Sequence, residues 1–179
     1  MNRTLKRSKE KTKKEQDRQA NMLSCACFTV LWKDYGWREQ RIMRRFASAV
    51  ELMEEGYDRK LTPFEILEEE TGIELFLEGD KSYHEYMFLS NDVNVRPLSN
   101  AEIIYMRNRS LKFAQMILLA SLCVVLHRED KWGISKLESL IHKVDIIRRT
   151  LGNDEKSYMA YMLSETGKDA RELWGSKHD

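Results

Sequence analysis

The segment Met22–Trp32 reads MLSCACFTVLW and leads into KDYGW at residues 33–37. Nearly every residue of the first segment is apolar, whereas residues 3–18 are almost entirely polar. No proline or glycine interrupts residues 3–35, so we expect one long helix that ends where Gly36 adopts a left-handed conformation. The apolar half of this helix must lie in the centre of the fold, because a helix that is apolar all round is buried.

Composition supports the same fold class for the rest of the chain. Only 2 prolines and 8 glycines occur among 179 residues, and 42% of the residues are hydrophobic. Few breaking residues together with many Leu, Glu, Lys, Arg and Met predict long helices. Neither the frequent turns of a sandwich or barrel nor the glycine-rich turn of a doubly wound fold is present. We therefore predict a mostly helical protein built from helical hairpins.

Capping signatures divide the remaining sequence into helices. Each signature places Ser or Thr at the N-cap and Glu at N3. The three pairs are Thr62 with Glu65, Ser99 with Glu102, and Ser135 with Glu138. The helices that we expect span residues 37–56, 63–71, 99–128, 135–151 and 154–165. Between them, residues 73–97 form a helical or irregular segment or, as the alternative, a small β-hairpin.

Apolar residues that recur at helical spacing predict the core. In the second helix the stripe consists of Ile42, Phe46, Ala49, Val50 and Met53. Across the chain, the side chains that we expect to be buried are Leu31, Phe46, Leu118, Val125, Leu140 and Val144.

Two parts of the chain share one order of features. Val30-Leu31-Trp32 and then Tyr35-Gly36-Trp37-Arg38 match Val125-Leu126-His127 and then Trp132-Gly133-Ile134-Ser135. Further on, Leu67 with Glu70-Thr71-Gly72 matches Leu163 with Glu165-Thr166-Gly167. The similarity indicates either two repeated helical lobes or a chance likeness between two helical hairpins.

These features divide the chain into four parts. The domains that we predict are a projecting basic helical arm (1–19), a first helical lobe (20–75), a connector (76–97) and a second helical lobe (98–179).

Charge is segregated along the chain although the formal net charge is only +1. Residues 1–20 contain eight Lys and Arg against three acids, which is typical of a segment that contacts phosphates. A solvated arm held by pairs between its own charges explains the pattern equally well. If the arm binds nucleic acid, the residues expected to do so are Lys6, Arg7, Lys11, Lys14 and Arg18.

Two further clusters are candidates for contact with a partner protein. Residues 51–80 contain eleven acids against two basic residues, and a dense anionic surface competes with nucleic acid for a basic channel. An ordinary solvated helix face is the alternative interpretation. On the second helix, several arginines share one flank and suit bidentate contacts. The candidate partner-binding residues are Arg38, Arg41, Arg45, Glu65, Glu68 and Glu69.

No arrangement of residues suggests catalysis or a bound cofactor. The four histidines are scattered, and neither a phosphate-binding loop nor a nucleophile elbow occurs. Cys25, Cys27 and Cys123 are an odd set within apolar runs, which favours buried free thiols in a reducing compartment. We therefore expect a cytoplasmic protein that is not an enzyme and has no metal, cofactor, small-molecule substrate or membrane segment.

A resemblance adds a function to this outline. The stretch Cys27–Ile42, CFTVLWKDYGWREQRI, and the Leu-x-x-Glu-Thr-Gly-Ile ending at Leu67–Ile73 resemble small helical proteins of Firmicute prophages and mobile elements. With its basic start at Asn2–Arg7, the whole chain is similar to the type II-A anti-CRISPR proteins among them.

The resemblance implies a non-catalytic inhibitor that acts in the cytoplasm of the bacterial host. Its partner would be the RNA-guided type II CRISPR effector nuclease with its guide RNA, and it would block DNA binding or cleavage by occupancy. The alternative is a phage-encoded nucleic-acid-binding or regulatory protein that uses the arm and the arginine clusters.

Overall fold

The computed structural model describes the backbone of residues 3–59, 62–75 and 116–174, with side chains from residue 13 and without those of residues 54–59. Over these residues the chain forms seven helices and no strand, which confirms the mostly helical prediction. We number them α1 (Arg3–Lys33), α2 (Glu39–Arg59), α3 (Pro63–Thr71), α4 (residues 116–130), α5 (Ile134–Leu151), α6 (Glu155–Thr166) and α7 (Ala170–Trp174).

Two predicted features lie outside the described residues. These are the capping signature at Ser99 and all of the connector from residue 76 onward. Residues 73–75, where the proposed β-hairpin would begin, form neither helix nor strand.

The apolar halves of α1 and α4 form the centre of the core. Ala26, Cys27 and Phe28 in α1 and Leu122 in α4 are completely buried. All six side chains that the sequence assigned to the core are buried, which confirms that prediction. Val50 is the exception within its stripe, because it is 43% exposed. Its neighbour Ala49 faces the core, and successive residues of a helix point about 100° apart.

Local signals set the ends of the shorter helices. Thr62 caps α3 as predicted, with Pro63 in the first turn and reciprocal hydrogen bonds to Glu65. The predicted cap at Ser135 is wrong, because the N-cap of α5 is Gly133, two residues earlier. The Gly133 carbonyl already accepts the amides of Lys136 and Leu137, at 3.1 and 3.2 Å.

The turns after α1 and α4 have the same hydrogen bond. The amide of Trp37 donates to the Leu31 carbonyl at 3.0 Å, and that of Trp132 donates to the Leu126 carbonyl at 3.2 Å. Each residue of the second pair lies 95 positions after its counterpart. The left-handed residues are then Gly36 (φ 66°) and Lys131 (φ 57°). The sequence alignment that paired Gly36 with Gly133 is therefore wrong by two residues.

The ends of α3 and α6 are also related by a shift of 95 positions. The hydroxyl of Thr71 donates to the Leu67 carbonyl at 2.6 Å, and that of Thr166 donates to the Met162 carbonyl at 2.7 Å. Gly72 and Gly167, the residues that follow, are both left-handed. These matching contacts support a repeat, which we call the first repeat (α1–α3) and the second repeat (α4–α6).

The first helix of each repeat contacts the other repeat. α1 packs extensively on α6 and α5, which belong to the other repeat, and less on α2. Lys33 of α1 pairs with Glu165 of α6. The counterparts of these residues, Arg128 of α4 and Glu70 of α3, form the equivalent ion pair.

The indole rings of Trp37 and Trp132 meet at the middle of this arrangement. They are counterparts of each other, and their centroids lie 5.5 Å apart in an edge-to-face contact. A residue that touches its own counterpart marks a two-fold axis, as in an isologous dimer interface. The chain therefore folds as an approximate two-fold arrangement within one polypeptide.

Candidate interaction surfaces

The acidic surface of the first repeat is carried by α3. The helix is held by its capping box at one end and by left-handed Gly72 at the other. Phe64, Ile66 and Leu67 are buried on its inner side. A short helix fixed at both ends and along one face presents its outer side chains in a defined direction.

Only two of the three predicted acids on α3 project freely from this surface. Glu68 and Glu69 are exposed. The carboxylate of Glu65 accepts the Thr62 amide at 2.7 Å, so it serves the capping box. The next acid, Glu70, binds the Arg128 guanidinium with an Oε1–Nε distance of 3.0 Å. We therefore define the acidic patch as Glu68 and Glu69.

The second repeat carries no acids at the equivalent positions. Leu163 and Ser164 are the counterparts of Glu68 and Glu69, and both are exposed. The other exposed large hydrophobic side chains of the described second repeat follow the same rule. They are Ile134 and Ile146, the counterparts of Glu39 and Glu51. At four backbone positions the first repeat is thus acidic where the second is apolar or neutral.

One of the three predicted arginines, Arg45 of α2, is used inside the fold. Nε of Arg45 binds Asp130 at 2.6 Å, and its guanidinium also pairs with Glu129. The side chains of Arg45 and Asp130 are only 14% and 4% exposed. Burial opposes ionisation of Asp130, but hydrogen bonds from Arg45 and Arg41 outweigh it and hold the pKa of its carboxyl below the usual value. Arg45 is therefore a structural residue that joins α2 to α4.

The other two predicted arginines remain closer to solvent. Arg41 also binds Asp130, at 2.8 Å, while its guanidinium lies 3.8 Å from the ring centroid of Trp37. Arg38 is exposed, and its guanidinium lies 5.4 Å from the centroid of Trp32. Of the three, only Arg38 has no acidic partner among the described residues.

The C-terminal end of the predicted basic arm contacts the second repeat. Arg18 binds Glu15 and also donates to the Asn153 carbonyl at 3.3 Å. Gln19 is 6% exposed and donates to the Asn153 side chain at 2.7 Å. Residues 15–19 therefore dock on the turn between α5 and α6.

Of the other residues that the sequence offered for nucleic-acid binding, Lys14 is exposed, as is its neighbour Lys13. The side chains of Lys6, Arg7 and Lys11 lie outside the described residues.

The three thiols are buried, as predicted. Burial raises the pKa of Cys25 and of Cys123 to about 12 and shifts that of Cys27 in the same direction. In the described parts of the chain, no three His, Cys, Asp or Glu side chains gather as metal ligands would. None of the described helices is long and apolar enough to cross a bilayer.

Sequence reasoning missed the acids at the end of α4. Glu129 and Asp130 neutralise the α2 arginines across a sequence separation of more than 80 residues. No signal in the sequence indicated this contact, because Trp37 and Trp132, which meet near it, are recognisable as counterparts only from the hydrogen bonds of their turns.

Comparisons with known proteins place the chain in no established group. No family model, curated protein or solved structure matches it.

Proposed function

We propose that this protein is a non-catalytic inhibitor that binds a guide-loaded type II CRISPR effector nuclease in the cytoplasm of the bacterial host. The resemblance at Cys27–Ile42 and Leu67–Ile73 supports this proposal. The observation that carries it is the acidic patch, because Glu68 and Glu69 are exposed on a helix that is fixed at both ends.

The physical basis is competition for a basic channel. An RNA-guided nuclease holds its guide and target in a positively charged channel. Carboxylates on a rigid helix enter such a channel at a lower entropic cost than carboxylates on a flexible segment. The inhibitor acts by occupancy, so inhibition is stoichiometric.

The experiment is a cleavage titration in which the protein meets the guide-loaded effector before target DNA is added. We expect cleavage to be suppressed near a one-to-one ratio. The test variant is Glu68→Leu with Glu69→Ser, since Leu163 and Ser164 occupy the same backbone positions in the second repeat. It should inhibit at least about tenfold less well at moderate salt, where exposed charges still interact.

The matched control places acids on the second repeat through Leu163→Glu with Ser164→Glu. It should inhibit as well as the parent. If the parent in excess leaves several type II effectors active and co-purifies with none, the proposed function is wrong. If both double variants inhibit equally, the function stands and the acidic patch is not the contact surface.

The second candidate function is nucleic-acid binding through the arm. Exposed Lys13 and Lys14 favour it, because they lie beyond the docked part of α1. Deleting residues 1–14 should then lower affinity for DNA or RNA and flatten its salt dependence, while leaving the docked contacts of Arg18 and Gln19 intact. Unchanged affinity would exclude this use of the arm.

A further inference from the structure

A hollow of about 440 Å³ lies where α4, α3 and the start of α5 meet. Its base is Trp132, which is 3% exposed. One wall is the ring of His127, fixed by a hydrogen bond in which Nδ1–H donates to the Trp132 carbonyl at 2.8 Å. The other lining residues are Glu70, Arg128, Lys131 and Gly133.

The repeat shows what occupies the matching positions in the first repeat. Trp32 and Arg38 are the counterparts of His127 and Gly133. There the guanidinium of Arg38 lies over the indole of Trp32. The second repeat has a smaller ring and no side chain at these two positions. The hollow is therefore space that an indole and the side chain covering it occupy in the first repeat.

The charged lining residues influence which groups would lie next to an aromatic ring in the hollow. Among the lining residues, Glu70 is already bound by Arg128 at 3.0 Å, and Lys131 donates to the Arg128 carbonyl at 2.8 Å. The lining itself therefore contains two cations and one carboxylate, and an acidic group placed directly against Lys131 would be attracted to it.

We propose that this hollow is a docking socket for an aromatic side chain, flanked by acidic residues, of a partner protein. This inference extends the proposed function by adding a second contact surface, but it does not depend on which partner is bound. Large aromatic residues that enter a fitted pocket commonly dominate the binding energy of an interface.

Gly133 offers a way to close the socket without disturbing the fold. Its φ of −75° and ψ of 165° suit any residue, and an added Cβ would meet no atom within 4 Å. Gly133→Arg introduces the residue that the first repeat has at the equivalent position, Arg38. Its side chain would extend over the hollow. Gly133→Ala is the matched control, since it changes the backbone in the same way but leaves the hollow open.

The test uses the full chain and three capped tripeptides, Glu-Trp-Glu, Gln-Trp-Gln and Glu-Ala-Glu, followed by two-dimensional NMR of the backbone amides. We expect saturable shifts at His127, Trp132 and Gly133 with the first peptide. At low salt its affinity should exceed that of Gln-Trp-Gln by about fivefold, and Glu-Ala-Glu should not bind. Gly133→Arg should weaken binding by at least about tenfold through steric exclusion, whereas Gly133→Ala should bind like the parent.

Several outcomes would overturn the socket. They are an absence of binding to the parent, equal binding of Glu-Ala-Glu, or undiminished binding to Gly133→Arg. In a second experiment, Gly133→Arg should inhibit an effector less well than Gly133→Ala. Equal inhibition would overturn the use of the hollow as a docking site. If the parent inhibits no effector, the proposed function fails and the peptide titration alone decides the socket.

Discussion

The turn that ends α1 and the turn that ends α4 have the same backbone but different residues at the left-handed position. Gly36 adopts this conformation without steric cost, whereas Lys131 has a Cβ that disfavours it. Nζ of Lys131 donates to the Arg128 carbonyl, which lies in the last turn of α4. The comparison shows that a capping side chain offsets part of a backbone strain that glycine avoids.

The same comparison separates the buried positions from the surface. Ile42 and Leu137 are counterparts and both are fully buried, as are Leu67 and Met162. On the surface, Glu68 faces solvent where its counterpart is Leu163. The repeats therefore share apolar residues at these buried positions and differ in residue class at the surface.

The largest expected effect tests whether equivalent core positions of the two repeats contribute equally to stability. Leu31 and Leu126 are counterparts with no exposed area, and each lies beneath its turn. Truncating either to Ala should lower the free energy of unfolding by about 2–5 kcal/mol, through lost burial and an unfilled cavity. Urea unfolding followed by circular dichroism measures both. A cost that is large for one and below about 1 kcal/mol for the other would break the equivalence.

The next effect comes from a contact that the repeats do not share. Asp130 binds Arg45 and Arg41, whereas its counterpart Tyr35 packs on Trp132 with a centroid distance of 4.6 Å. Asp130→Asn should cost about 2 kcal/mol at pH 7, because it removes the more deeply buried of the two carboxylates that pair with the largely buried Arg45. Glu138→Gln, which changes an exposed acid on α5, is the control and should leave stability unchanged.

The pH dependence of this variant gives an independent check. The pKa of Asp130 is lower in the folded state than its usual value near 3.9. The carboxylate therefore contributes stability that is fully present above about pH 5 and is lost as the pH falls through the folded-state pKa. The stability difference between parent and Asp130→Asn should shrink below pH 4. A constant difference from pH 7 to pH 3 would contradict the assigned ion pair.

A smaller effect is expected at the two turns. Gly36→Ala should destabilise the protein by about 1 kcal/mol, because the added Cβ is strained at positive φ although space is open around it. Lys131→Gly should stabilise it by about 0.5 kcal/mol, since relief of strain exceeds the loss of one exposed hydrogen bond. Thermal unfolding distinguishes the two signs. Destabilisation by Lys131→Gly would mean that the lysine cap contributes more than the strain costs.

The smallest effect concerns the equivalent ion pairs. Exchanging their cations, by Lys33→Arg with Arg128→Lys, should leave the unfolding midpoint unchanged within error. Both pairs lie at the surface, where such interactions contribute little. A clear shift in the midpoint would show that the two pairs are not equivalent in their surroundings.

Sequence signals that act over a few residues predicted the structure well. Thr62, Pro63 and Glu65 lie within four positions of one another, so their capping box forms without help from distant parts of the chain. The same box engages the carboxylate of Glu65, which the sequence also offered as a contact residue for a partner. Ser135 shows the limit of such signals, because buried Trp132 fixes where α5 begins.

Contacts between distant residues had no comparable signal. Arg45 and Asp130 are 85 positions apart, and the sequence offered many other acids as partners. The contact of each repeat's first helix with the other repeat is likewise invisible to periodicity, which shows that a helix has an apolar face but not what covers it. The hollow lies where His127 and Gly133 replace Trp32 and Arg38. This replacement is evident only when the two repeats are aligned by their hydrogen bonds.

The packing of α1 on the second repeat also affects folding during synthesis on the ribosome. The apolar segment of α1 emerges early, but α5 and α6, which cover it, are made more than 100 residues later. At about 5–20 residues per second, the nascent chain waits roughly 5–25 s before these helices exist. N-terminal fragments that stop before α5 should therefore aggregate, and α1 should reach its native packing only after α5 and α6 have been synthesised.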